Sequence, residues 1–502
     1  MKSKAASILI ILLTVSMVAA CGDSADEGAN NEANNSNNDS GELNVPDTYE
    51  FESRFVEGES SVAYSGQVAR HVLISDLNTY ISGLSDDLDS AAFEPTEEDE
   101  VVATLDYYFR FDSDSNGDEE ILLETDPATL QTTYNEISGG KDIVGKFAGN
   151  DSVTEHKDWA SEFVGWSDEA IAENGGSVDT PEGLVVAFFE TIEANALGRV
   201  AGDVRTDPDG NQLPVYITED GQDLKQLVQK FSTMAVAFSQ GADDYLDDDT
   251  EGKGLLADNT DPGDGTAYSS LEHQWDEGFG YFGAARDYLA YTDEEIAGKG
   301  GRDGWSSGYY DTDEDGAINL NAEFNFGHST NAAKRDLGAS GDASTDLTAE
   351  AMEAFLTGRA IITAADGDLD DEQLAQLTEQ RDIALLAWEK AIAATGVHYI
   401  NDTLQVMGDF GSDDYDFATH AKVWSELKGF TLGLQFNPHS PIADSDFEQF
   451  QTLVGDAPVL ADADESDIDQ YKADLVEARQ ILADAYGFAE ANLGDDNGEN
   501  GW

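Results

Sequence analysis

Leu224, Leu227, Val228, Phe231, Met234, Ala235 and Phe238 return at helical spacing for four turns, and this stripe limits the chain's folds more than any other feature. An apolar set with that period is buried together only on one side of a helix, because a strand would send alternate members to opposite faces. The same spacing recurs in Leu73, Leu77, Tyr80, Ile81 and Leu84, in Leu385, Trp388, Ile392, Thr395 and Tyr399, and in Ile468, Tyr471, Leu475, Ala478, Leu482 and Ala485. Pro181 behind Thr180 marks a helix start running to about Leu197. Strand signals are sparse. DYYFRF (106–111) reads as the end of a helix opening near Glu97, with a hairpin to EEILLE (119–124) as the other option. The expected fold class is all-α, two lobes of long-helix bundles joined by an irregular insertion.

Residues 1–20 set two lysines before an apolar run and end in small residues, the layout of an export signal. The run is too short to span a bilayer permanently. Cys21, the only cysteine among 502 residues, follows Val18-Ala19-Ala20, which resembles the lipobox of bacterial lipoproteins. That resemblance implies lipidation of Cys21 and a membrane partner through the lipid, and Gly22 favours the outer membrane over inner-membrane retention. The expected location is the cell envelope, as an outer-membrane lipoprotein facing periplasm or exterior. Without a second cysteine there is no disulfide, and stability has to come from burial. Residues 21–45 hold too little apolar surface to order themselves and are expected to form a disordered tether. Beyond it the expected organisation is a first helical lobe at 46–290, the insertion at 291–350, a second lobe at 351–490 and a disordered tail at 491–502.

The chain has 104 acidic and 25 basic residues, a formal net charge of -79. Nucleic acid is excluded as a partner, since phosphate binding needs the opposite field. The acids are spread along the whole chain, which favours adaptation to salty surroundings, where screening weakens their repulsion, over a surface that gathers cations.

The insertion carries Asp311, Asp313, Asp315 and Asn319 at positions 1, 3, 5 and 9 of a loop with Gly316 at position 6. Calcium takes six to eight hard oxygens, and alternate acids converge when the backbone curls. The pattern resembles EF-hand and dockerin loops. It departs at position 12, where Ala322 stands and Glu323 lies one beyond. The expected calcium ligands are Asp311, Asp313, Asp315, the Ala317 carbonyl, Asn319 and Glu323.

Of seven histidines, His273 has the most suggestive setting. On a helix it shares a side with Asp276, Glu277 and Gly280, while Trp275, Phe279, Phe282 and Arg286 lie roughly opposite. A histidine with a carboxylate at i+3 or i+4 is a pairing from which helical bundles build metal sites. His420 and Glu426 are the candidates to complete such a site, although they stand about 120° apart on their own helix. His398 with Asp402, and Arg335 with Asp336, read as structural pairs.

His273-Gln274-Trp275-Asp276, followed by Phe279-Gly280-Tyr281-Phe282-Gly283, resembles the His-x-x-Glu and aromatic turn of imelysin-like proteins, with aspartate in place of glutamate and Leu271 where those proteins have glycine. The phrases YSGQVARHVLISDL (64–77), EHQWDEGFGYFG (272–283), YYDTDEDGAINLNAEFNFG (309–327), NAAKRD (331–336) and WSELKGFTLGLQFNP (424–438) resemble the DUF4856 family of bacterial surface lipoproteins. Together these resemblances imply an exported helical protein that handles a metal ion or a metal-linked ligand and works with an outer-membrane uptake receptor in iron acquisition. The rival expectations are a metallopeptidase, with zinc on His273 and Asp276 and Glu277 as general base, and a structural surface protein stabilised by calcium. The sequence leans against an enzyme: it has no His-Glu-x-x-His, no Gly-x-Ser-x-Gly, no phosphate loop, no dinucleotide fingerprint and no cysteine nucleophile.

Overall fold

The described residues form eleven helices of ten residues or more, most of them closing along the apolar stripes. The computed structural model describes residues 43–502 apart from 152–154, 169–170, 172–176 and 264, so the export signal, Cys21 and the tether up to residue 42 lie outside the described residues. In chain order the helices are α1 (Ser65–Asp89), α2 (Glu100–Phe109), α3 (Pro181–Ala201), α4 (Leu224–Thr233), α5 (Ser270–Phe282), α6 (Gly327–Gly338), α7 (Leu347–Ala364), α8 (Asp371–Gly408), α9 (Phe417–Thr431), α10 (Asp444–Val454) and α11 (Glu465–Tyr486). The fold is all-α. Among the described residues there is no strand, only isolated bridges such as Thr129 with Ile318. No described helix is long and apolar enough to cross a membrane.

Several helices begin where a side chain satisfies backbone N–H groups that the first turn leaves free. Thr180 accepts from Gly183 N–H ahead of α3. Ser269 with Glu272, and Asp370 with Gln373, form reciprocal capping boxes for α5 and α8. The stripe that opens in α4 runs on through π-helical turns at Met234–Phe238 and Gly241–Tyr245. Gly241 is needed there, because a Cβ would stand 2.7 Å from Cη2 of Trp388.

Helix α8, 38 residues long, is the spine, and α6, α7, α9 and α11 pack against it. Helix α4 lies between α1 and α9. One hydrophobic core extends from Tyr49 to Trp502, so the cores of the two expected lobes are continuous. Gly358 of α7 makes one close crossing, with a Cβ placed 2.1 Å from Cζ2 of the buried Trp275 of α5.

Two expected segments differ from the structure. The stretch 291–350 is not uniformly irregular, since it contains α6 and the start of α7. Helix α6 carries no apolar stripe to announce it, because Ser329, Asn331, Arg335 and Asp336 are among its buried residues. The last twelve residues are packed rather than disordered. Leu493 bridges Gly501, Asn401 Nδ2 donates to the Trp502 carbonyl at 3.2 Å, and the Trp502 indole N–H donates to the Arg335 carbonyl at 2.9 Å.

Candidate anion-binding cavity

The His273 face is divided by the structure. Asp276 and Glu272 of α5 are fully buried, and Arg359 of α7, also fully buried, lies between them. Asp276 Oδ1 accepts from Tyr49 Oη and Arg359 Nε, both at 2.9 Å, and Oδ2 accepts from Ala63 N–H at 3.0 Å. Glu272 accepts from Arg359 Nη1 and Arg54 Nε, each at 3.1 Å. Burial pushes the Asp276 carboxyl up, and the Arg359 guanidinium offsets part of that rise. His273 donates through Nδ1 to the Ala63 carbonyl at 2.9 Å and lies against the Tyr268 ring. Its Nε2 is 3.7 Å from Glu277 Oε1, and Glu277 also accepts from Gln67 Nε2 at 2.9 Å. Asp276 is therefore no partner for a metal on His273, because its oxygens already serve Arg359, Tyr49 and Ala63.

His420 and Glu426 are not brought to that face. They sit on α9, which packs on α4 and α8, whereas α5 packs on α1 and α7. His420 is fully buried, and burial pulls it down to about 4, which keeps it neutral at pH 7. Among the described residues, the sets of three donor groups close enough for one ion are Asp247, Asp248 and His439, and Asp311, Asp313 and Asp315. At the first set a cation is already built in: Arg381 Nη1 lies 3.9 Å from Asp247 and 3.6 Å from Asp248.

The second set is the expected calcium loop. Asp311 accepts from Asp315 N–H at 3.1 Å and Gly316 N–H at 2.9 Å, and the left-handed backbone of Gly316 (φ +93°) makes the turn. Glu323 points inward, 3 % exposed, and accepts from Thr312 N–H at 2.7 Å and Asn319 N–H at 2.8 Å. Asn319 Oδ1 accepts from Gln131 Nε2 at 2.9 Å. Asp311, Asp313 and Asp315 thus converge as hard oxygen donors that suit calcium, while Glu323 and Asn319 are engaged in closing the loop.

A cavity that sequence reasoning missed opens where α4, α6, α8 and α9 meet. Its volume is about 800 Å³, against about 420 Å³ for the pocket beside Trp166 and for that beside Tyr486. Lys230 of α4, Lys334 and Arg335 of α6, Lys422 of α9 and Lys299 line it, and Glu426 is the one acidic side chain in the lining. Helical spacing aims these groups inward: Gly327, Thr330, Asn331, Lys334 and Gly338 form one face of α6, and Lys422, Glu426 and Phe430 form one face of α9.

The cations are under-paired for so acidic a protein. Lys230 Nζ lies 3.5 Å from Glu426 Oε1 and above the Phe430 ring. Arg335 is only 6 % exposed, its Nε has no hydrogen-bond partner, and no carboxylate of the described residues is within ion-pair distance of it. Asp336, its expected partner, instead caps α7 by accepting from Leu347 and Thr348 N–H, both at 2.9 Å. His398 does meet Asp402, with Nε2 to Oδ2 at 3.4 Å. Burial, followed by the charges of Lys230, Arg335 and Lys299, pushes Lys334 down to about 8. Burial also lowers Arg335 to about 10 and, with Arg335 nearby, His398 to about 3. Asp402 is raised to about 6 by burial. Asp402 acts on Arg335 through its charge but makes no ion pair with it, and an under-neutralised buried guanidinium costs stability, so an anion that supplies the missing charge binds with advantage. The signal legible beforehand was Lys334-Arg335 in NAAKRD, adjacent cations in a chain with so few.

Fold and cavity together define an all-α protein with a cation-lined pocket at a four-helix junction. Residues 150–296 match the DUF4856 family model, described as a domain of unknown function. That segment includes α4 with Lys230 and α5 with His273, while α6, α8 and α9 lie beyond it. No curated protein and no solved structure matches the chain.

Proposed function

We propose that the protein is a lipid-anchored cell-envelope binding protein that holds a small negatively charged solute in the cavity between α4, α6, α8 and α9. The observation that carries this reading is Arg335, a nearly buried guanidinium that forms no ion pair among the described residues and feels Asp402 only through its charge, in a protein that has about four acids for each base. A metal held by a carboxylate-bearing chelator is itself such a solute, so metal-linked cargo and a role beside an uptake receptor remain part of the proposal, with the site moved away from His273. The peptidase alternative loses support because Asp276, its second zinc ligand, is committed to Arg359.

Calorimetric titration with a panel of small carboxylates and phosphates at low salt tests this. Binding is expected, and Arg335→Ala should weaken it by at least about tenfold, the loss of one charge-assisted contact, while His273→Ala leaves it unchanged. Equal affinity for Arg335→Ala and the parent protein would refute the site.

Calcium is proposed as a separate structural ligand of Asp311, Asp313 and Asp315. Millimolar calcium should raise the melting temperature by a few degrees by binding the native state alone, and chelator should reverse the change. A melting temperature indifferent to both would remove calcium from the account.

A further inference from the structure

The cavity's charges form two groups. Lys230 and Lys422 stand with Glu426 between α4 and α9, and Lys422 and Lys225 add repulsion at Lys230. Lys299 and Arg335 stand on the α6 side, with the His398–Asp402 pair near Arg335. Lys334 lies between, influenced by Lys230 and Glu426 from one group and by Arg335 and Lys299 from the other. Glu426 and Asp402 still leave each group a positive excess, and Lys334 adds to it, so a single negative charge neutralises only part of the cavity.

We propose that the cavity selects an organic anion carrying at least two negatively charged groups, of carboxylate or phosphate chemistry, over monoanions of the same skeleton. This rests on the binding reading above and specifies its ligand class. Arg335 is the fixed anchor: its planar fork matches a carboxylate or phosphate edge, and its burial leaves it little freedom. The lysines are point charges on flexible stems, suited to a second anionic group whose position varies with the skeleton. The remaining wall favours carbon over a bare inorganic ion. The Phe430 and Tyr399 rings, 6.1 Å apart and nearly parallel, and Leu337, 42 % exposed, present apolar surface. The volume also falls within the range of organic ligand sites, roughly 300–1,000 Å³.

The test is titration of the mature chain at low ionic strength with acetate, succinate and propane-1,2,3-tricarboxylate, and in parallel with orthophosphate and glycerol bisphosphate. Affinity should rise about tenfold or more with each added anionic group, each group replacing bound solvent ions at another lysine. Lys334→Met should flatten this ladder, because it removes the charge that links the two groups. Lys253→Met, which removes the same charge from an exposed surface position, should not.

A pH arm gives a second readout. Lys334 loses its proton near 8, with Lys230, Lys299, Arg335, Glu426 and His398 around it, so affinity for the tricarboxylate should fall between about pH 7 and about 9. Acetate affinity should change less. A preference for one arm of the panel assigns the ligand to carboxylates or to phosphates. Monoanions binding as tightly as trianions, with Arg335→Ala weakening both alike, would overturn the multiply charged ligand and leave the binding reading intact. If no member binds, or binding ignores Arg335, the cavity reading falls as well.

Discussion

Arg359→Leu is expected to destabilise the fold by about 3–5 kcal/mol, the range for removing one partner of a buried ion pair. Arg359, Asp276 and Glu272 are all fully buried, and Arg359 Nη2 also donates to Ser61 Oγ at 2.7 Å. Leucine fills most of the space but leaves Asp276 with no cation and Glu272 with Arg54 alone. They must then take up protons or draw in water, and either costs stability. The triple variant Arg359→Leu, Asp276→Asn, Glu272→Gln should recover much of the loss, because what destabilises is the unpaired charge and not the missing contact. Urea unfolding of the single and triple variants reads both effects. A single variant within about 1 kcal/mol of the parent would show that the network contributes nothing to stability.

Thermal stability should climb with salt, on the order of 10 °C between about 0.01 and 1 M NaCl, as the screening length falls from about 30 to 3 Å. A net charge of -79 works against compaction, and screening relieves that repulsion. Acid acts in the same direction. Burial raises Asp76, Asp223 and Asp243 to about 6 and Glu389 to about 7. The folded chain holds these protons more tightly than the unfolded one, so the stability they confer is fully present below the ordinary carboxylate range and is lost as pH rises through 6 to 7. The melting temperature should therefore fall between about pH 5 and 8. A melting temperature flat in salt would dismiss the salt-adapted reading of the acidic surface.

Much of the helical framework was legible in the sequence because its cause is local. The stripe of α4, the Thr180-Pro181 start of α3 and the long apolar face of α8 each lie within one continuous stretch. Helix α6 escaped because its buried face is made of serine, asparagine, arginine and aspartate, whose partners come from elsewhere in the chain. The spacing of His273 and Asp276 on one helix was correct, yet the fate of Asp276 is decided by Arg359, 83 positions away. The cavity was hidden for the same reason. Its cations are drawn from three helices and a loop between Lys230 and Lys422, and each lysine alone reads as an ordinary solvated side chain.

The depth of Arg335 has a consequence in brine. Chloride at high concentration competes for every accessible cation, and a lone exposed lysine would be crowded with it. A guanidinium sunk below the surface asks an approaching halide to shed its water, whereas a guest gripped at several points loses its hydration once and gains several contacts. In such a medium the proposed site would favour a multiply charged guest over simple salt ions.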